Sequence, residues 1–415
     1  MREIALILFG LIGLSLVFFS RGILIFLTLL CLTCTQLWYK NLSIIALNFR
    51  WIFFALFFLY VFGDIFLGRT VRKIKSFDFL AIIFIVYAFF SSAYSSHPII
   101  TIERATTILA LYISVFWIIW KYAYTKGPEK IASIMLQFAT LIFIASFLMI
   151  FIGPHRGFSN GRFNGIFWNP NGLGIMCAIY LPFSLWRYLE TKKRSALFLF
   201  VLILLALILS GARGSMNATA VSLGYFIYVH SKKYRPLVLF SSVSFILILI
   251  WTIEIFTKKF FMAYIRAENI PVLGGRLYIW PVALELIAEK PIFGYGFGTE
   301  EYLFILKKHT MMGFQVYLTH NSYLGMTLQL GILGFILLFV PLFILLFKEL
   351  FSRQTNETVP PLRYALRATL IAGLICAFYE SWIYSVGNAQ AFPYWITVML
   401  LVYYRYQEKS ALEST

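Results

Sequence analysis

The sequence predicts an all-α membrane protein that crosses the bilayer about twelve times. Of its 415 residues, 61% are hydrophobic and 13% are charged, whereas about a quarter of the residues in a soluble domain are charged. Apolar runs of roughly 15 to 25 residues recur from end to end, and about 20 apolar residues cross the hydrocarbon core as a helix. The formal charge of +18 lies mostly in short loops, which is typical of the cytoplasmic loops of membrane proteins and not of nucleic-acid binding.

Thirteen apolar runs are the predicted helices. They cover residues 4–19, 22–37, 51–66, 79–94, 106–122, 134–151, 172–186, 196–209, 217–228, 237–256, 322–346, 369–383 and 392–404. Thirteen crossings would leave the N-terminus outside, so we expect the first two runs to form a kinked unit or a re-entrant hairpin, which gives about twelve full crossings. No small-residue cleavage site follows the first run, and we expect a retained helix, not a signal peptide.

The basic loops predict the orientation of the chain. When sides are alternated backwards from a cytoplasmic C-terminus, every basic loop falls in the cytoplasm. Four other segments then lie outside, namely residues 95–104, 153–171, 210–215 and 257–320. We therefore expect three parts: N-terminal transmembrane helices over 1–255, a catalytic loop on the outer side over 256–321, and C-terminal transmembrane helices with a cytoplasmic tail over 322–415.

The outer loop contains a predicted amphipathic helix. Apolar residues recur at helical spacing, and Pro291 ends the segment; they are Leu277, Trp280, Leu284, Ile287 and Ala288. Arg276 stands at the N-terminal end of this helix, where the helix dipole and free backbone amides favour an anion. The glycine-rich run 294–298 that follows lacks a preceding strand, so it predicts a tight turn and not a dinucleotide site.

Two more arginines lie in outer segments among small or turn-forming residues. Arg162 precedes the turn-rich Asn169-Pro170-Asn171, and this region could equally be a plain loop between helices. Arg213 is flanked by glycine, alanine and serine. It could reach to lipid headgroups or bind an anion in a cavity lined by protein, and the small neighbours favour the cavity.

His320 closes the outer loop, just before Asn321, Ser322 and Tyr323. A lone histidine at a membrane interface needs no function, but a neutral imidazole is also the best general base available here. Glu380 lies at the edge of a predicted span, where a carboxylate is unfavourable unless it is paired. We therefore expect it to face an arginine or a histidine inside the helix bundle.

The remaining chemistry narrows the ligand. The four cysteines lie in apolar runs, and we find no convergent set of metal ligands, so we expect no disulfide, metal or cofactor. Arginine guanidinium groups in a region without a metal site are suited to bind a phosphate or diphosphate attached to a lipid. Arginines could stabilise a departing diphosphate while a histidine takes a proton from an incoming hydroxyl.

Taken in order, these motifs resemble the O-antigen ligase and polymerase superfamily. The resemblance rests on Gly275-Arg276, Trp280, Pro291, the run 294–298, His320 to Tyr323 and Leu330 to Gly334, with flanking motifs at Arg162, Asn169 to Asn171, Ser210 to Arg213, and Glu380 with Gly387-Asn388. It covers about the last two thirds of the chain, and the outer loop is compact beside longer family examples.

The resemblance implies a metal-independent, inverting glycosyltransferase of the GT-C type in the bacterial inner membrane. It would move a glycan from undecaprenyl diphosphate to a lipid A-core sugar hydroxyl on the periplasmic face. Arg213 and Arg276 would hold the diphosphate, and His320 would serve the acceptor hydroxyl. The implied substrate-binding residues are Arg162, Asn169, Asn171, Asn321, Tyr323 and Glu380.

Four other functions stay open from the sequence. A related enzyme would attach the glycan to a protein or to another surface polymer. A polymerase would use the same donor but extend a second carrier-linked glycan. A solute transporter would place its polar residues near the bilayer midplane, often on broken helices. A non-catalytic scaffold of a polysaccharide assembly complex would tolerate loss of His320.

Overall fold

A computed structural model describes residues 20–69, 74–230, 276–306, 310–311, 314–315, 318–351, 359–385 and 388–412. The chain divides into two compact units, each described by itself below. Unit 1 comprises Met1–Ile74, Leu109–Thr219 and Ser385–Thr415, and unit 2 comprises Lys75–Ile108 and Ala220–Tyr384.

The described residues are mostly helical. In chain order the helices are α1 Arg21–Cys34, α2 Lys40–Phe66, α3 Ser76–Phe90, α4 Pro98–Lys126, α5 Pro128–Ile152, α6 Pro154–Gly157, α7 Pro170–Thr191, α8 Arg194–Ser210, α9 Arg213–His230, α10 Arg276–Glu289, α11 Glu300–Leu306, α12 Ser322–Phe351, α13 Pro361–Tyr379 and α14 Ala391–Leu412. A 3-10 turn, Ser91–Ala93, follows α3, and the stretch Ser114–Ile119 of α4 is a π-helix. Two small hairpins pair β1 Phe158–Ser159 with β2 Arg162–Phe163, and β3 Thr310–Met311 with β4 Phe314–Gln315.

The all-α, multi-pass expectation is confirmed for this part of the chain. Seven of its helices are long and apolar enough to cross a membrane, namely α2, α3, α4, α5, α7, α12 and α13, and α1 and α8 are shorter apolar helices. The predicted runs 4–19 and 237–256 lie outside the described residues. The count of about twelve crossings therefore stays a prediction.

Local sequence signals explain many helix boundaries. Pro128, Pro170 and Pro361 occupy the first turns of α5, α7 and α13, where proline's missing amide hydrogen has no helical partner to lose. Lys192 and Gly211 adopt left-handed conformations directly after α7 and α8. A left-handed residue ends a helix because its backbone turns away from the helical path.

In unit 1, α1 runs alongside α2 between the two ends of that helix. Arg21 at the start of α1 pairs with Asp64 in the last turn of α2 at 3.1 Å. At the other end, the residues after α1 pair with the segment before α7, through the bridge between Leu37 and Phe167. The kinked unit or re-entrant hairpin expected for the first two runs stays a prediction, because residues 4–19 lie outside the described residues, while the second run is helical over α1. Its 14 helical residues are about 21 Å long at 1.5 Å per residue.

In unit 2, α12 packs against α3, α10 and α13, and it is broken at Gly331 (φ 64°, ψ −167°). Three carbonyls beside the break accept hydrogen bonds from other segments: Leu328 from the Tyr295 amide (3.2 Å), Gln329 from the Gly296 amide (2.8 Å) and Leu330 from the Tyr87 hydroxyl (3.0 Å). Backbone groups at membrane depth need such protein partners. The loop between α10 and α11 therefore fills the break.

The face of α10 that packs on protein differs in part from the predicted membrane-anchoring stripe, which stays a prediction. The residues buried on this helix are Ile279, Ala283 and Leu286, which pack with the following loop, α11 and α12. Leu284, which belonged to the predicted stripe, is 53% exposed. Because α10 is apolar on more than one face, its periodicity alone could not select the face that packs on protein. An interfacial position for the helix stays a prediction.

Candidate functional site

His320 lies in a short loop whose backbone is held in an uncommon conformation. Its φ is +49°, one of three positive values among the described non-glycine residues. A non-glycine residue in this region is disfavoured by roughly 1 to 2 kcal/mol and persists where neighbouring contacts determine it. The next residue, Asn321, accepts hydrogen bonds from the amides of Tyr323 (2.9 Å) and Leu324 (3.1 Å) and so caps α12. The loop is thus fixed on the C-terminal side of His320.

The imidazole of His320 pairs with the carboxylate of Glu380. The distance from Nδ1 to Oε2 is 2.8 Å, and the side chains are 40% and 17% exposed. Glu380 directly follows α13, so the sequence-based expectation that it pairs with an arginine or histidine is confirmed. With the Nδ1 hydrogen directed to the carboxylate, Nε2 is the nitrogen that can accept a proton from a substrate. The tautomer is assigned here from the hydrogen-bond partner.

The segments that carry His320 and Glu380 are hydrogen-bonded along their length. The Ser322 hydroxyl donates to the Glu380 carbonyl (2.7 Å) and accepts from the Trp382 amide (3.0 Å). The Asn321 amide donates to the Ser381 hydroxyl (3.1 Å). These bonds fix the position of the histidine and carboxylate side chains through their backbones.

A buried carboxylate, Glu300 at the start of α11, lies beneath this loop with 3% of its surface exposed. Five groups lie within hydrogen-bond distance of its two oxygens. Oε1 is contacted by the Thr319 amide (2.7 Å), the Thr319 hydroxyl (2.7 Å) and the Ser381 hydroxyl (3.2 Å), and Oε2 by the Tyr384 hydroxyl (2.8 Å) and the Gln329 side-chain amide (3.2 Å). Burial and the Glu300 carboxylate raise the pKa of Tyr384 well above its usual value. The Tyr384 hydroxyl is therefore a donor at neutral pH.

Trp280 connects α10 to the His320 loop. Its indole N–H donates to the carbonyl of Thr319 at 3.1 Å, and its ring meets Phe378 of α13 edge-on. The backbone of Arg276 begins α10 one helical turn earlier, about 6 Å along the axis. The N-terminal end of α10 thus lies near the residue that precedes His320, while the side chain of Arg276 lies outside the described residues.

The glycine-rich turn between α10 and α11 packs closely on its surroundings, as predicted. Gly296 (φ +111°) approaches Ser95, and Gly298 (φ +80°) approaches Arg104, so closely that a Cβ atom at either position would overlap them. The Gly298 amide donates to the Gln329 side-chain oxygen at 2.7 Å. The turn also joins the predicted outer segments 95–104 and 257–320 within unit 2.

In unit 1, Arg162 joins two of the predicted outer segments. Its Nε donates to the carbonyl of Ser210 (2.8 Å) and its Nη2 to the side-chain oxygen of Asn171 (2.6 Å). Asn169 caps α7 by accepting from the Asn171 amide at 2.8 Å. Arg213 begins α9 with an exposed side chain. The local cluster places Arg162, Asn169 and Asn171 together.

The structure gives other predicted ligand-binding residues internal partners. The oxygen of the Asn321 side chain is used in the cap of α12, and the Tyr323 hydroxyl donates to the Leu374 carbonyl of α13 at 2.7 Å. Tyr323 also packs on three phenylalanines of α12, including Phe339. Substrate contacts by these two residues stay predictions. The predicted common site of Arg213, Arg276 and His320 also stays a prediction.

Sequence reasoning missed Glu300, together with Gln329 and Tyr384. The acidic pair Glu300-Glu301 follows a glycine turn and begins a helix. Acidic residues are common there because they interact favourably with the helix dipole. Glu300 differs from Glu301 in being buried, and the sequence does not show this difference. Within the described ranges, no group of three His, Cys, Asp or Glu residues could hold a metal ion.

Comparison with known proteins shows what the His320 region is similar to. Residues 198–339 match the family model described as O-antigen ligase. Over this stretch, the chain is similar to the O-antigen ligase family. It contains Arg213, Arg276 and His320, so the resemblance inferred from the motifs is confirmed.

Three curated relatives show similarity to the chain. A Rickettsia felis protein named "Putative polysaccharide ligase" is 29% identical over 159 residues, which cover 35% of this chain and 38% of the relative. A Haemophilus influenzae protein without an assigned function is 29% identical over 173 residues, 37% of this chain and 43% of that protein. A Rickettsia conorii protein with the same kind of name is 24% identical over 281 residues, 62% of this chain and 64% of the relative. The chain thus matches less than two thirds of each of these three relatives.

Proposed function

We propose that this chain is a membrane glycosyltransferase of the O-antigen ligase type. It moves a glycan from undecaprenyl diphosphate to a hydroxyl of a lipid A-core sugar, on the periplasmic face of a bacterial inner membrane. The observation that carries the proposal is the His320–Glu380 pair, held at 2.8 Å in a loop with a left-handed histidine. The family match over residues 198–339 supports the same reaction class.

The pair is suited to activate an acceptor hydroxyl. Glu380 holds Nδ1 of His320 and stabilises the imidazolium that forms when Nε2 takes the acceptor proton. The acceptor oxygen forms a bond to the anomeric carbon as the bond from that carbon to the diphosphate oxygen breaks. The electron pair leaves with the diphosphate, and attack from the opposite face inverts the anomeric carbon.

The arginines are proposed to stabilise the leaving group. Arg276 begins α10 near the His320 loop, and Arg213 begins α9. A guanidinium can bind two diphosphate oxygens at once, and its interaction strengthens as charge develops on them. We propose that no metal or cofactor takes part, and that Arg162, Asn169 and Asn171 contribute to substrate binding. Asn321, Tyr323 and Glu380 are proposed as further substrate-binding residues.

The domain division is proposed as predicted: helices over 1–255, a periplasmic catalytic loop over 256–321, and helices with a cytoplasmic tail over 322–415. The GT-C architecture and about twelve crossings belong to the same proposal. Contacts within unit 2 support it, because Ser95 and Arg104 of the predicted outer segment 95–104 lie against the loop between α10 and α11. Contacts between Arg162 and Ser210 support it in unit 1.

The transporter alternative has one supporting observation, the break of α12 at Gly331. Broken helices in transporters expose backbone groups to a substrate or an ion. Here the carbonyls of residues 328–330 accept hydrogen bonds from Tyr295, Gly296 and Tyr87. The break therefore serves the packing of the glycine-rich turn, and transfer chemistry is the better account.

The test is glycan transfer by the full-length protein reconstituted in vesicles without added metal. Carrier-linked glycan is the donor, and lipid A core or a second carrier-linked glycan is the acceptor. Wild type is expected to extend lipid A core, whereas His320→Ala loses roughly 10² to 10⁴ of the rate, the usual contribution of a general base. His155→Ala, which changes an exposed histidine, is the matched control. Growth of the carrier-linked acceptor alone would show a polymerase, and full activity of His320→Ala would refute the catalytic assignment.

A further inference from the structure

We propose that Glu300 is a positioning residue that must be a carboxylate, because it fixes the His320 loop by accepting hydrogen bonds at both of its oxygens. This inference rests on the proposed function for its catalytic consequence. Its structural part, the conformation of the His320 loop, can be measured without any glycan.

The first step is the position of Glu300 between the two halves of the site. Its Oε1 accepts from the amide of Thr319, the residue directly before His320, at 2.7 Å. The same oxygen lies 3.2 Å from the Ser381 hydroxyl, and Ser381 directly follows Glu380. One buried oxygen thus binds the neighbours of both members of the His320–Glu380 pair.

The second step is the direction of the hydrogen bonds. The Gly298 amide donates to Oε1 of Gln329 at 2.7 Å, which directs the Gln329 amide group towards Oε2 of Glu300 at 3.2 Å. At the other end, the Thr319 amide donates to Oε1 of Glu300. Both ends of this chain are backbone N–H groups, which can only donate. Residue 300 must therefore accept on both sides.

A carboxylate meets this requirement, and the isosteric amide does not. In Glu300→Gln, the new NH2 group would face either the Thr319 amide or the Gln329 amide, and each is a donor. Turning the Gln329 side chain over would place its NH2 group against the Gly298 amide. A buried donor that faces another donor has no hydrogen-bond acceptor in the protein, and burial prevents water from replacing it. The loop that holds His320 in the left-handed conformation would then lose one of the hydrogen bonds that support it.

The same reasoning predicts a rescue. In the double variant Glu300→Gln with Gln329→Glu, the carboxylate at position 329 accepts from the Gly298 amide and from the side-chain NH2 group at position 300. The side-chain oxygen at position 300 then accepts from the Thr319 amide. Net charge, atom count and the fixed backbone donors are unchanged, so only the direction of the hydrogen bonds distinguishes the single from the double variant.

Space around Glu300 offers a second, independent perturbation. Gly325 of α12 lies against Oε2 of Glu300 and the Tyr384 hydroxyl, and a Cβ atom there would overlap both. Gly325→Ala therefore displaces the carboxylate without changing its charge or chemistry. It is expected to reproduce the effect of Glu300→Gln in a protein that retains every hydrogen-bonding group.

The experiment measures two properties of the full-length protein in detergent or vesicles. The first is the rate at which diethyl pyrocarbonate modifies His320, followed by mass spectrometry of the peptide that contains it. The second is glycan transfer, separated into kcat and KM for the donor. We expect Glu300→Gln and Gly325→Ala to change the modification rate at least about threefold and to lower kcat at least about tenfold, with donor KM within about twofold. The double variant is expected to recover most of both.

The matched control is Glu301→Gln, the same change at the adjacent exposed carboxylate, which is expected to behave as wild type. Two results would overturn the proposal: an unchanged His320 modification rate and kcat in Glu300→Gln, or a double variant no better than the single one. If Glu300→Gln does not fold, the double variant still tests the proposal, which requires that this variant folds and transfers glycan. If wild type shows no transfer at all, the proposed function fails while the modification rates still test the role of Glu300.

Discussion

Two of the buried carboxylates in unit 2, Glu349 and Glu300, lie towards opposite ends of α12 and have different kinds of partner. Glu349 is 1% exposed and binds two guanidinium groups, with both of its oxygens 2.8 Å from Arg363 and one 2.8 Å from Arg367. Glu300 is 3% exposed and is surrounded by one backbone amide, one side-chain amide and three hydroxyl groups. At Glu349 the negative charge is balanced by positive charges, whereas the Glu300 carboxylate accepts hydrogen bonds from neutral donors.

The difference corresponds to two structural roles. Glu349 holds two helices together, and Glu300 holds a loop in one conformation. At Glu349 the ion pairs join α12 to the first turns of α13, and the attraction between their charges persists through small shifts because it falls off gradually with distance. At Glu300 each hydrogen bond has a fixed direction, and two of the connected donors are backbone groups. A directional network specifies geometry, which is what a histidine in an uncommon backbone conformation requires.

The largest expected effect is at the charged site. Glu349→Ala leaves two buried guanidinium groups without their carboxylate, so we expect the free energy of unfolding to fall by about 3 to 5 kcal/mol. Transfer per folded molecule should stay near wild type, because Glu349 lies far along α12 from His320. Thermal unfolding in detergent checks this, with Glu190→Ala at an exposed carboxylate as control. Equal melting temperatures for the two variants would contradict it.

The next effect should appear in catalysis and not in stability. Glu380→Gln keeps an oxygen that can accept from Nδ1 of His320 but removes the negative charge that stabilises the imidazolium. We expect kcat for glycan transfer to fall about 10²-fold, which corresponds to about 2.7 kcal/mol. The melting temperature should change little. Glu301→Gln serves as the control, and wild-type kcat in Glu380→Gln would remove Glu380 from the mechanism.

A smaller effect is expected for one neutral donor of Glu300. Tyr384→Phe removes the hydroxyl 2.8 Å from Oε2, and we expect a loss of about 1 kcal/mol of stability. The raised folded-state pKa of Tyr384 means that its contribution is complete below about pH 10 and is lost as the pH rises further. Chemical unfolding from pH 6 to 11 checks this: the difference between wild type and variant should stay constant to about pH 9 and then shrink. A difference that grows above pH 10 would have the wrong sign.

The smallest effect should come from removing the charged site altogether. Replacing Glu349, Arg363 and Arg367 together by Met, Leu and Met is expected to leave stability within about 1 kcal/mol of wild type or above it, because apolar packing removes the need to bury three charges. Thermal unfolding and glycan transfer measure the outcome.

The Glu300 network should not accept such an apolar replacement, since the amides of Thr319 and Gly298 would remain without acceptors. A stable, active protein with leucine at both 300 and 329 would contradict the distinction between the two sites.

The sequence predicted the general class of the fold and part of the site. Apolar length predicts helices such as α5 and α12 because the bilayer requires backbone hydrogen bonds to close within the helix. The pairing of Glu380 was predicted because a carboxylate at a span edge needs a partner. The face of α10 that packs on protein was not predicted, since its apolar residues do not define one stripe. Glu300 was missed because it resembles its exposed neighbour Glu301 in sequence.

By itself, the sequence determined that this is a helical, multi-pass membrane protein, and that arginines, glycines and histidines lie between its apolar runs. Those conclusions depend on composition and spacing, which act along the chain. Only the tertiary structure decided that Glu380 meets His320 across 60 positions and that Glu300 receives donors from three other segments. Such contacts depend on which distant segments pack together, and hydrogen-bond direction becomes visible only when donor and acceptor have positions in space.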